Sequence, residues 1–541
     1  MAVHRINTNG LARAFIVALA VACSPATVPA SPSSSQPQPT PSPTVARASP
    51  ILVGTEYVLI DNRARAAALA ETLAPIGLTV AKPLPEHIEW GNMQPSPEAP
   101  IDFAALDSFV HAFQAAGFTE LILALKSHSP WASQGYGLLG ASNPAPKAEY
   151  IDDYEAWVRA IVERYDGDGT DDLTGLRHPV RFYEIGSEFS SYEPEPVADY
   201  LAMLERAYAA AHRASDEVVV SHAAFLTTLA FADDPDPAQY ETAFENVPDA
   251  NHRLADIRAV LDRPELFDAL NVHALGEPAE IEAIVGWLNY EMSERDYERP
   301  IIVSDTATTP FIAWGPATAC DRPPQQMGRV IPPAKEQDRC RLAEYFTRLI
   351  DGDEATVGWV QAFAAADMVK KVVIAAEQGV LLINTAFTED LGWLKLPLAQ
   401  AGAGNSAWAG LVDVAGRENR PAYYALQQLL AQLAGYETIT RLPLGDDDTR
   451  VYELTRAGRR SWIAWADVDT LLLPTDAVPE RSVQLDVGLP AVTVETLITQ
   501  AGESGASRTN VATQDGIATL SLDPTPVFIY PRQVPAAPAA G

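Results

Sequence analysis

The chain is short of basic residues, of cysteines and of long apolar runs. Lys and Arg number 38 against 71 Asp and Glu, a formal net charge of -33. So acidic a surface repels phosphate backbones, and no basic stripe interrupts it, so we expect no nucleic-acid partner. The apolar runs are shorter than the roughly 20 residues that a membrane-spanning helix needs. We therefore expect a protein whose bulk lies outside the membrane.

The first residues have the pattern of an export signal. Residues 1–22 carry Arg5 and Arg13 and no acidic residue, followed by the apolar run "AFIVALAVA". The run ends before Cys23 in a sequence similar to a bacterial lipobox, and residues 23–50 form a Pro/Ser/Thr-rich tether. We expect an exported protein at the cell surface or in the periplasm, anchored by lipid on Cys23. The alternative is an ordinary signal peptide, cleaved before a cysteine that carries no lipid.

Only two cysteines remain if Cys23 takes lipid. Cys320 and Cys340 would then form the single bridge available, as suits an oxidising compartment. It would close a loop of about 20 residues and contribute about 3 kcal/mol. The longer segment from Thr306 to Arg341, which contains this loop and also Trp314, would border the cavity after the seventh strand.

The remaining pattern predicts two folded units. Short apolar runs alternate with amphipathic segments over residues 51–436, ending in a helix near 421–435, which is typical of a (β/α)8 barrel. Over residues 437–533 strands follow one another with period-two alternation, which predicts a β-sandwich. Residues 534–541 are expected to be a flexible tail. The predicted barrel strands are 56–61, 78–83, 119–125, 179–186, 217–223, 267–274, 299–305 and 356–363.

Carboxylates stand at the ends of two predicted barrel strands. Glu188 follows strand four and Asp305 ends strand seven. Barrel enzymes carry their reacting groups at the carboxyl ends of the strands, because the loops there converge on one cavity. Cleavage of a glycosidic bond needs one carboxyl to protonate the leaving oxygen and a second to attack or to activate water. The arrangement favours a glycoside hydrolase.

Several stretches resemble the clan A (β/α)8 glycoside hydrolases, most closely the xylosidase/iduronidase-type and related endoglycanase families. "FYEIGSEFS" is similar to their strand-four signature, "HSPWAS" to their loop after strand three, "RPIIVSD" to their nucleophile strand and "RPAYYALQQLL" to their closing helix. The resemblance implies that Glu188 is the acid/base and that Asp305 occupies the nucleophile position. Ser187 stands where the family has Asn, and Asp305 where it has Glu, one methylene or about 1.5 Å shorter.

Other site candidates come from position along the strands. We expect Trp131, Ser187, His273, Trp359 and Gln361 to bind substrate, with the two tryptophans as flat platforms for sugar rings. Asp305 follows Ile301 and Val303 at alternate positions, and this spacing predicts that all three face the interior of the barrel. Glu184 shares the parity of Glu188 but lies deeper, so it needs a cationic partner, either Lys82 or Lys126.

An acidic stretch, residues 165–179, alternates oxygen-bearing side chains at Asp166, Asp168, Thr170 and Asp172. Alternating oxygen ligands suit Ca²⁺, but an EF-hand needs Gly at the position of Asp171 and Glu further along. We favour a solvated acidic turn, with a structural calcium ion in another geometry as the alternative, and we expect the chemistry to need no cofactor and no metal.

Three functions remain to be separated. The first is an exported glycoside hydrolase acting on poly- or oligosaccharides. The second is a catalytically inactive barrel that binds glycan at the cell surface, which the departures at Ser187 and Asp305 favour. The third is a solute-binding lipoprotein, against which the terminal all-β unit argues. In the first two the partner is carbohydrate, and the membrane is reached only through the lipid anchor.

Overall fold

The computed structural model describes residues 50–135, 142–189, 195–227, 230–231, 234–245, 252–308, 338–385, 387–391, 407–413, 417–468 and 470–532. The predicted signal segment, the lipidation site Cys23, most of the tether, Trp314, Cys320 and the tail lie outside these residues. Cys340 is exposed, and its predicted bridge to Cys320 stays a prediction. Within the described part of the chain, no helix combines the length and the apolar character that crossing a bilayer requires.

Eight parallel strands close into a barrel in sequence order, and β1 pairs with β8 to complete it. The predicted (β/α)8 barrel is therefore confirmed. The eighth strand was assigned wrongly, because residues 356–363 lie in a helix and the true strand follows it. The strands are β1 (Leu52–Val58), β2 (Val80–Pro83), β3 (Glu120–Leu125), β4 (Phe182–Phe189), β5 (Val219–Leu226), β6 (Leu270–Ala274), β7 (Ile301–Thr306) and β8 (Leu382–Thr385).

Helices surround the barrel and bury their apolar faces against it. Local caps mark two of their starts, where Asn62 accepts a hydrogen bond from Arg65 N and Asp353 from Thr356 N. The helices are α1 (Arg63–Leu73), α2 (Trp90–Met93), α3 (Ala104–Ala115), α4 (Ile151–Tyr165), α5 (Val197–Ala214), α6 (Tyr240–Glu245), α7 (Leu254–Leu261), α8 (Glu280–Ser293), α9 (Arg339–Asp351), α10 (Glu354–Glu377) and α11 (Pro421–Leu433).

The barrel interior is layered along its axis. Apolar side chains close the end at which the strands begin, and they include Val80, Phe182 and Ile302. Two residues further along most of the strands the inward side chains are polar, with Lys82 and Glu184 among them. The third layer, at the carboxyl ends, holds the candidate site. This order follows from the period of two in a strand, which sends every second side chain inward.

The C-terminal unit is antiparallel, as predicted. A six-stranded sheet has the order β14-β13-β16-β11-β10-β9, and β12 pairs with β15 in a second sheet. Apolar side chains from both sheets share one core, in which Trp462, Val483 and Leu520 take part. Its strands are β9 (Thr438–Arg441), β10 (Thr449–Arg456), β11 (Arg459–Ala466), β12 (Arg481–Asp486), β13 (Ala491–Thr496), β14 (Arg508–Ala512), β15 (Ile517–Leu522) and β16 (Val527–Pro531).

Buried contacts join the β unit to the barrel. Tyr452 and Trp465 belong to the same apolar cluster as the barrel and its helices. Arg450, only 7% exposed, bonds to Glu282 on α8 and to Asp467, each at 2.7 Å. A charge-assisted pair of this kind fixes orientation as well as contributing energy.

Replacement of Arg450 by Met should therefore destabilise the protein by about 2 kcal/mol, because Glu282 and Asp467 lose a shared partner while remaining partly solvated. Urea unfolding followed by tryptophan fluorescence measures the loss. The matched control is Arg460→Met, since Arg460 is 43% exposed and pairs with Glu453 within the β unit. Equal losses in the two variants would show that the contact between the units adds nothing.

Candidate active site

Three strands that carry site carboxylates are irregular near their carboxyl ends. The register slips on β1 between Thr55 and Val58, and on β4 between Ile185 and Glu188. It slips again between β6 and β7, where His273 pairs with Asp305. An irregularity of this kind adds a residue to one strand and redirects the side chains beyond it. The mouth of the barrel is therefore shaped by the backbone of these strands.

Glu188, His273 and Asp305 come together at this mouth. Each offers a ligand atom within 4.8 Å of the atoms of the other two. The His273 Nδ1 atom lies 3.1 Å from Glu188 Oε1 and 3.8 Å from Asp305 Oδ2. The side chain of Glu188 is 25% exposed and that of Asp305 is 10% exposed, while His273 is buried. Two carboxylates thus reach the open end of the barrel, with an imidazole beside both.

The imidazole of His273 is held from both nitrogens. Its Nε2 atom lies 3.2 Å from the hydroxyl of Ser304. Burial alone lowers the pKa of His273, but the hydrogen bond to Glu188 and the charges of Asp305 and Glu188 outweigh it and raise that pKa. Glu188, His273 and Asp305 are also donor types that a divalent cation accepts, and a bound ion would displace the imidazole proton. The geometry is compatible with proton transfer and with a metal ion.

The predicted parity of strand seven was wrong. Ile301 and Val303 pack outward in the main core around the helices, whereas Ile302 lies in the apolar layer inside the barrel. Regular alternation would therefore turn Asp305 away from the interior. Ser304 is the extra residue at the irregularity between β6 and β7, and it lets Asp305 face the mouth. The prediction that Asp305 faces the mouth was correct, but the regular alternation on which it was based does not hold there.

Glu184 is structural, as its depth suggested. It is completely buried, and Lys82 Nζ lies 2.9 Å from its Oε2 atom. The choice between the two candidate partners is therefore settled in favour of Lys82. Lys126 instead pairs with Glu86 at 3.0 Å and Glu89 at 3.5 Å. Burial lowers the pKa of Lys82, but the charges of nearby carboxylates, that of Glu184 foremost, outweigh it and raise that pKa.

Asn143 supports the irregular end of β4. Its Oδ1 atom accepts a hydrogen bond from Ser187 N at 3.1 Å, and its Nδ2 group donates to Glu188 O at 2.6 Å and to Glu195 Oε1 at 3.0 Å. Gly186 has a φ of 96°, and a Cβ there would stand 2.3 Å from Asn143 Oδ1. Only glycine combines this conformation with so close an approach. Ser187 thus meets Asn143 through its backbone, a contact that strand spacing could not predict.

Glu56 and Tyr57 at the end of β1 were missed. Glu56 is 2% exposed, and its Oε2 atom lies 3.9 Å from Lys82 Nζ. Tyr57 adopts a φ of 61°, an unusual conformation for an aromatic residue and typical of functional sites. The signal was present in the sequence as a carboxylate within an apolar run. Because strand one was predicted at 56–61, Glu56 fell at its start, away from the mouth.

The aromatic candidates occupy different surroundings. Trp131 is half-buried, donates its indole N–H to Gln94 O at 2.9 Å and packs edge-on to Trp90 and Tyr150. Trp359 and Gln361 were expected on strand eight, and that placement was wrong, because both lie on α10. Trp359 stacks on Phe363 and contacts Tyr345, while Gln361 is 4% exposed. Their predicted contacts with substrate stay predictions.

The acidic turn after α4 brings Asp166, Asp168 and Asp172 together, each with an oxygen within 4.8 Å of the others. Backbone amides of the same turn donate to these carboxylates, for example Gly169 N to Asp172 at 2.7 Å and Thr170 N to Asp168 at 2.6 Å. Since calcium ligands lie about 2.3–2.6 Å from the ion, the spacing is compatible with an ion as well as with a self-bonded turn.

Comparisons with known proteins show the fold. No family model matches the chain, and no curated protein matches it. Among solved structures, a family 39 glycoside hydrolase from the gut symbiont Bacteroides cellulosilyticus WH2 has a TM-score of 0.57 at 13% identity, over 89% of this chain and 81% of that one. A glucosidase from Croceicoccus marinus has a TM-score of 0.51 at 13% identity, over 86% and 92% of the two chains.

A third structure, a monomeric beta-xylosidase from Caulobacter crescentus CB15, has a TM-score of 0.50 at 13% identity over 90% of this chain and 97% of that one. At these identities the likeness establishes the architecture. The barrel with a C-terminal β unit, which the resemblance to clan A implied, is confirmed.

The buried carboxyl of Glu195 should make stability depend on pH. Burial raises its pKa to about 7, against the opposing hydrogen bond from Asn143. The folded pKa lies above the unfolded one, so the stabilising contribution is complete below about pH 4.5 and is lost as pH rises through about 7. Through this carboxyl the wild-type protein should lose about 3 kcal/mol of stability between about pH 5 and pH 8. We expect Glu195→Gln not to show this loss.

Urea unfolding at the two pH values tests this. Glu205→Gln, which changes a carboxylate 60% exposed, is the control and should keep the wild-type pH dependence. An unchanged pH dependence in Glu195→Gln would contradict the assignment.

The acidic turn can be tested by thermal unfolding in calcium and in chelator. Because its carboxylates already accept backbone hydrogen bonds, we expect the same melting temperature in both. A melting temperature that is higher in calcium than in chelator would instead establish a bound ion, provided that the difference disappears in Asp168→Asn and persists in Asp171→Asn. Asp171 is the matched control, since it lies in the same turn but outside the three-carboxylate group.

Proposed function

We propose that the protein is an exported, lipid-anchored glycoside hydrolase that cleaves O-glycosidic bonds of poly- or oligosaccharides. Glu188 is its acid/base and Asp305 its nucleophile. The observation that carries this proposal is the approach of the two carboxylates and His273 within 4.8 Å at the mouth of the barrel. Retaining glycosidases hold their carboxyls about 5–5.5 Å apart and inverting ones about 6.5–9.5 Å. A closest approach within 4.8 Å lies nearer to the retaining range than to the inverting one and so favours retention.

The groups can divide the reaction between them. The proton shared by His273 Nδ1 and Glu188 Oε1 is available for the leaving oxygen as the glycosidic bond breaks. Asp305 then attacks the anomeric carbon and forms a glycosyl ester. In the second half, Glu188 removes a proton from water, the water oxygen replaces Asp305 at the same carbon, and the free carboxylate returns. No cofactor takes part.

The names of the similar structures support carbohydrate as the substrate class. A glucosidase and a beta-xylosidase are among them, which points to neutral pyranosides. The acidic surface of this chain agrees with an uncharged substrate, since it would repel anionic polysaccharides. Anchoring through Cys23 would hold the enzyme at the cell surface, and Cys23→Ser should release it into the soluble fraction.

A catalytically inactive glycan-binding barrel is the second candidate. The observation that favours it is the shorter side chain at the nucleophile position, since a displacement of about 1 Å can cost about 100-fold in rate. The two candidates predict opposite effects of restoring the missing methylene. In an enzyme adapted to Asp305, the longer side chain crowds Glu188; in a disabled barrel it restores the spacing.

Hydrolysis of a panel of aryl glycosides and polysaccharides separates them. We expect wild-type turnover with retention of anomeric configuration, and losses in kcat/KM of at least about 100-fold in Glu188→Gln, Asp305→Ala and Asp305→Glu. The control Asp153→Ala, on the exposed face of α4, should keep full activity.

Two results would contradict the proposal. An inactive wild-type protein that gains turnover in Asp305→Glu would identify a disabled hydrolase. Glycan binding without turnover, unchanged by any of these substitutions, would identify the inactive glycan-binding barrel.

A further inference from the structure

Glu56 is a buried carboxyl for which the proposed chemistry has no use. It lies at the irregular end of β1 and is 2% exposed. Among the described residues, neither Glu56 Oε1 nor Asp305 Oδ1 has a hydrogen-bond donor within reach. The two carboxyls are close enough for a hydrogen bond to join them. A proton on one of the two carboxyls would satisfy both.

The charge balance around Lys82 favours such a proton. Among the described residues, Lys82 is the one ammonium group beside these carboxyls, with Glu184 at 2.9 Å and Glu56 farther off at 3.9 Å. Asp305 adds a third carboxyl and Glu188 a fourth, and the imidazole of His273 lies 3.8 Å from the first and 3.1 Å from the second. Even with His273 protonated, two cations face four carboxyls. A carboxylate buried without a cation of its own is costly, and such a group takes up a proton instead.

Glu56 is the carboxyl most suited to be neutral. Glu184 has the ammonium group of Lys82 at hydrogen-bonding distance, and Asp305 keeps some contact with solvent. Burial, the charge of Asp305 and a hydrogen bond to Asp305 together raise the pKa of Glu56 well above its ordinary value, and the Lys82 charge only partly opposes them. The neighbouring Tyr57 stays neutral as well, because burial and the surrounding carboxylates raise its pKa.

We propose that Glu56 is a positioning residue: as a neutral carboxylic acid it donates a hydrogen bond to Asp305 and holds that short carboxylate toward the sugar. The inference rests on the proposed function for its catalytic consequence. An O–H···O⁻ hydrogen bond is among the stronger ones in proteins, and it leaves the other oxygen of Asp305 free to attack. Loss of the proton would place two negative charges side by side and displace Asp305.

The proton can be observed directly by infrared spectroscopy. At about pH 9 both Glu89 and Glu195, whose pKa values are raised to about 7, are ionised, so a remaining carboxylic-acid C=O band belongs to a group with a higher pKa. We expect this band in the full wild-type chain and its loss in Glu56→Gln. The control Glu291→Gln removes an equally buried carboxyl that pairs with Arg258 and Arg295, and should keep the band.

Asp305→Asn provides a second variant in case Glu56→Gln does not fold. It should keep the acid band but shift its frequency, because an amide replaces the carboxylate acceptor. An absent band in the wild type, or a band unaffected by Glu56→Gln, would overturn the inference. So would a band that keeps its frequency in Asp305→Asn.

Kinetics then tests the role in catalysis. Glu56→Gln keeps an N–H donor, so its kcat should fall less than about 10-fold, and its pH profile should lose the fall in rate at high pH. Glu56→Ala should lower kcat by about 100-fold with KM little changed. If KM changed together with kcat, or if Glu56→Gln were as impaired as Glu56→Ala, Glu56 would have only a structural role. Failure of the proposed function would appear separately, as an inactive wild type with the acid band intact.

Discussion

The ammonium group of Lys82 limits how much negative charge the interior of the barrel can hold. It stands above an apolar layer and is 1% exposed, so its charge is balanced by neighbouring side chains and not by water. Glu184 takes the close position at 2.9 Å. Every further carboxyl in the same space must share this cation, find another or carry a proton. His273 serves Glu188 in this way, and a proton is proposed to serve Glu56.

Because of this limit, the role that each carboxyl can take depends on how deep it lies in the barrel. Glu184 is completely buried and balanced, so it has neither the access nor the free proton that catalysis needs. Glu188 and Asp305, nearer the solvent, share one imidazole whose pKa their charges raise. Among the described carboxyls, the proposed proton transfer therefore belongs to this outer pair. The charge balance that stabilises the core leaves the proposed acid–base chemistry at the mouth of the barrel.

The sequence predicted those features that follow from regular alternation. The barrel and the β unit, the helix near 421–435 and the pairing of Glu184 with Lys82 all depend on period-two or period-3.6 patterns. Strand eight was misassigned because α10 is buried on most of its surface and has little amphipathic signal, whereas the true strand, Leu382–Thr385, has four residues. Such a short strand cannot outweigh a 24-residue apolar helix in a pattern search.

The position of Glu56 at the mouth and the backbone irregularity that turns Asp305 inward were missed for a different reason. Both depend on irregular backbone, and an extra residue in one strand leaves no mark in the hydrophobic pattern. The shorter side chain of Asp305 is therefore not enough to predict where its carboxylate lies. The side chain of Asp is one methylene, or about 1.5 Å, shorter than that of Glu. This difference withdraws the carboxylate from the site only if the backbone stays where regular alternation puts it. Here the backbone of β7 shifts as well, and the carboxylate still approaches Glu188 and His273 within 4.8 Å.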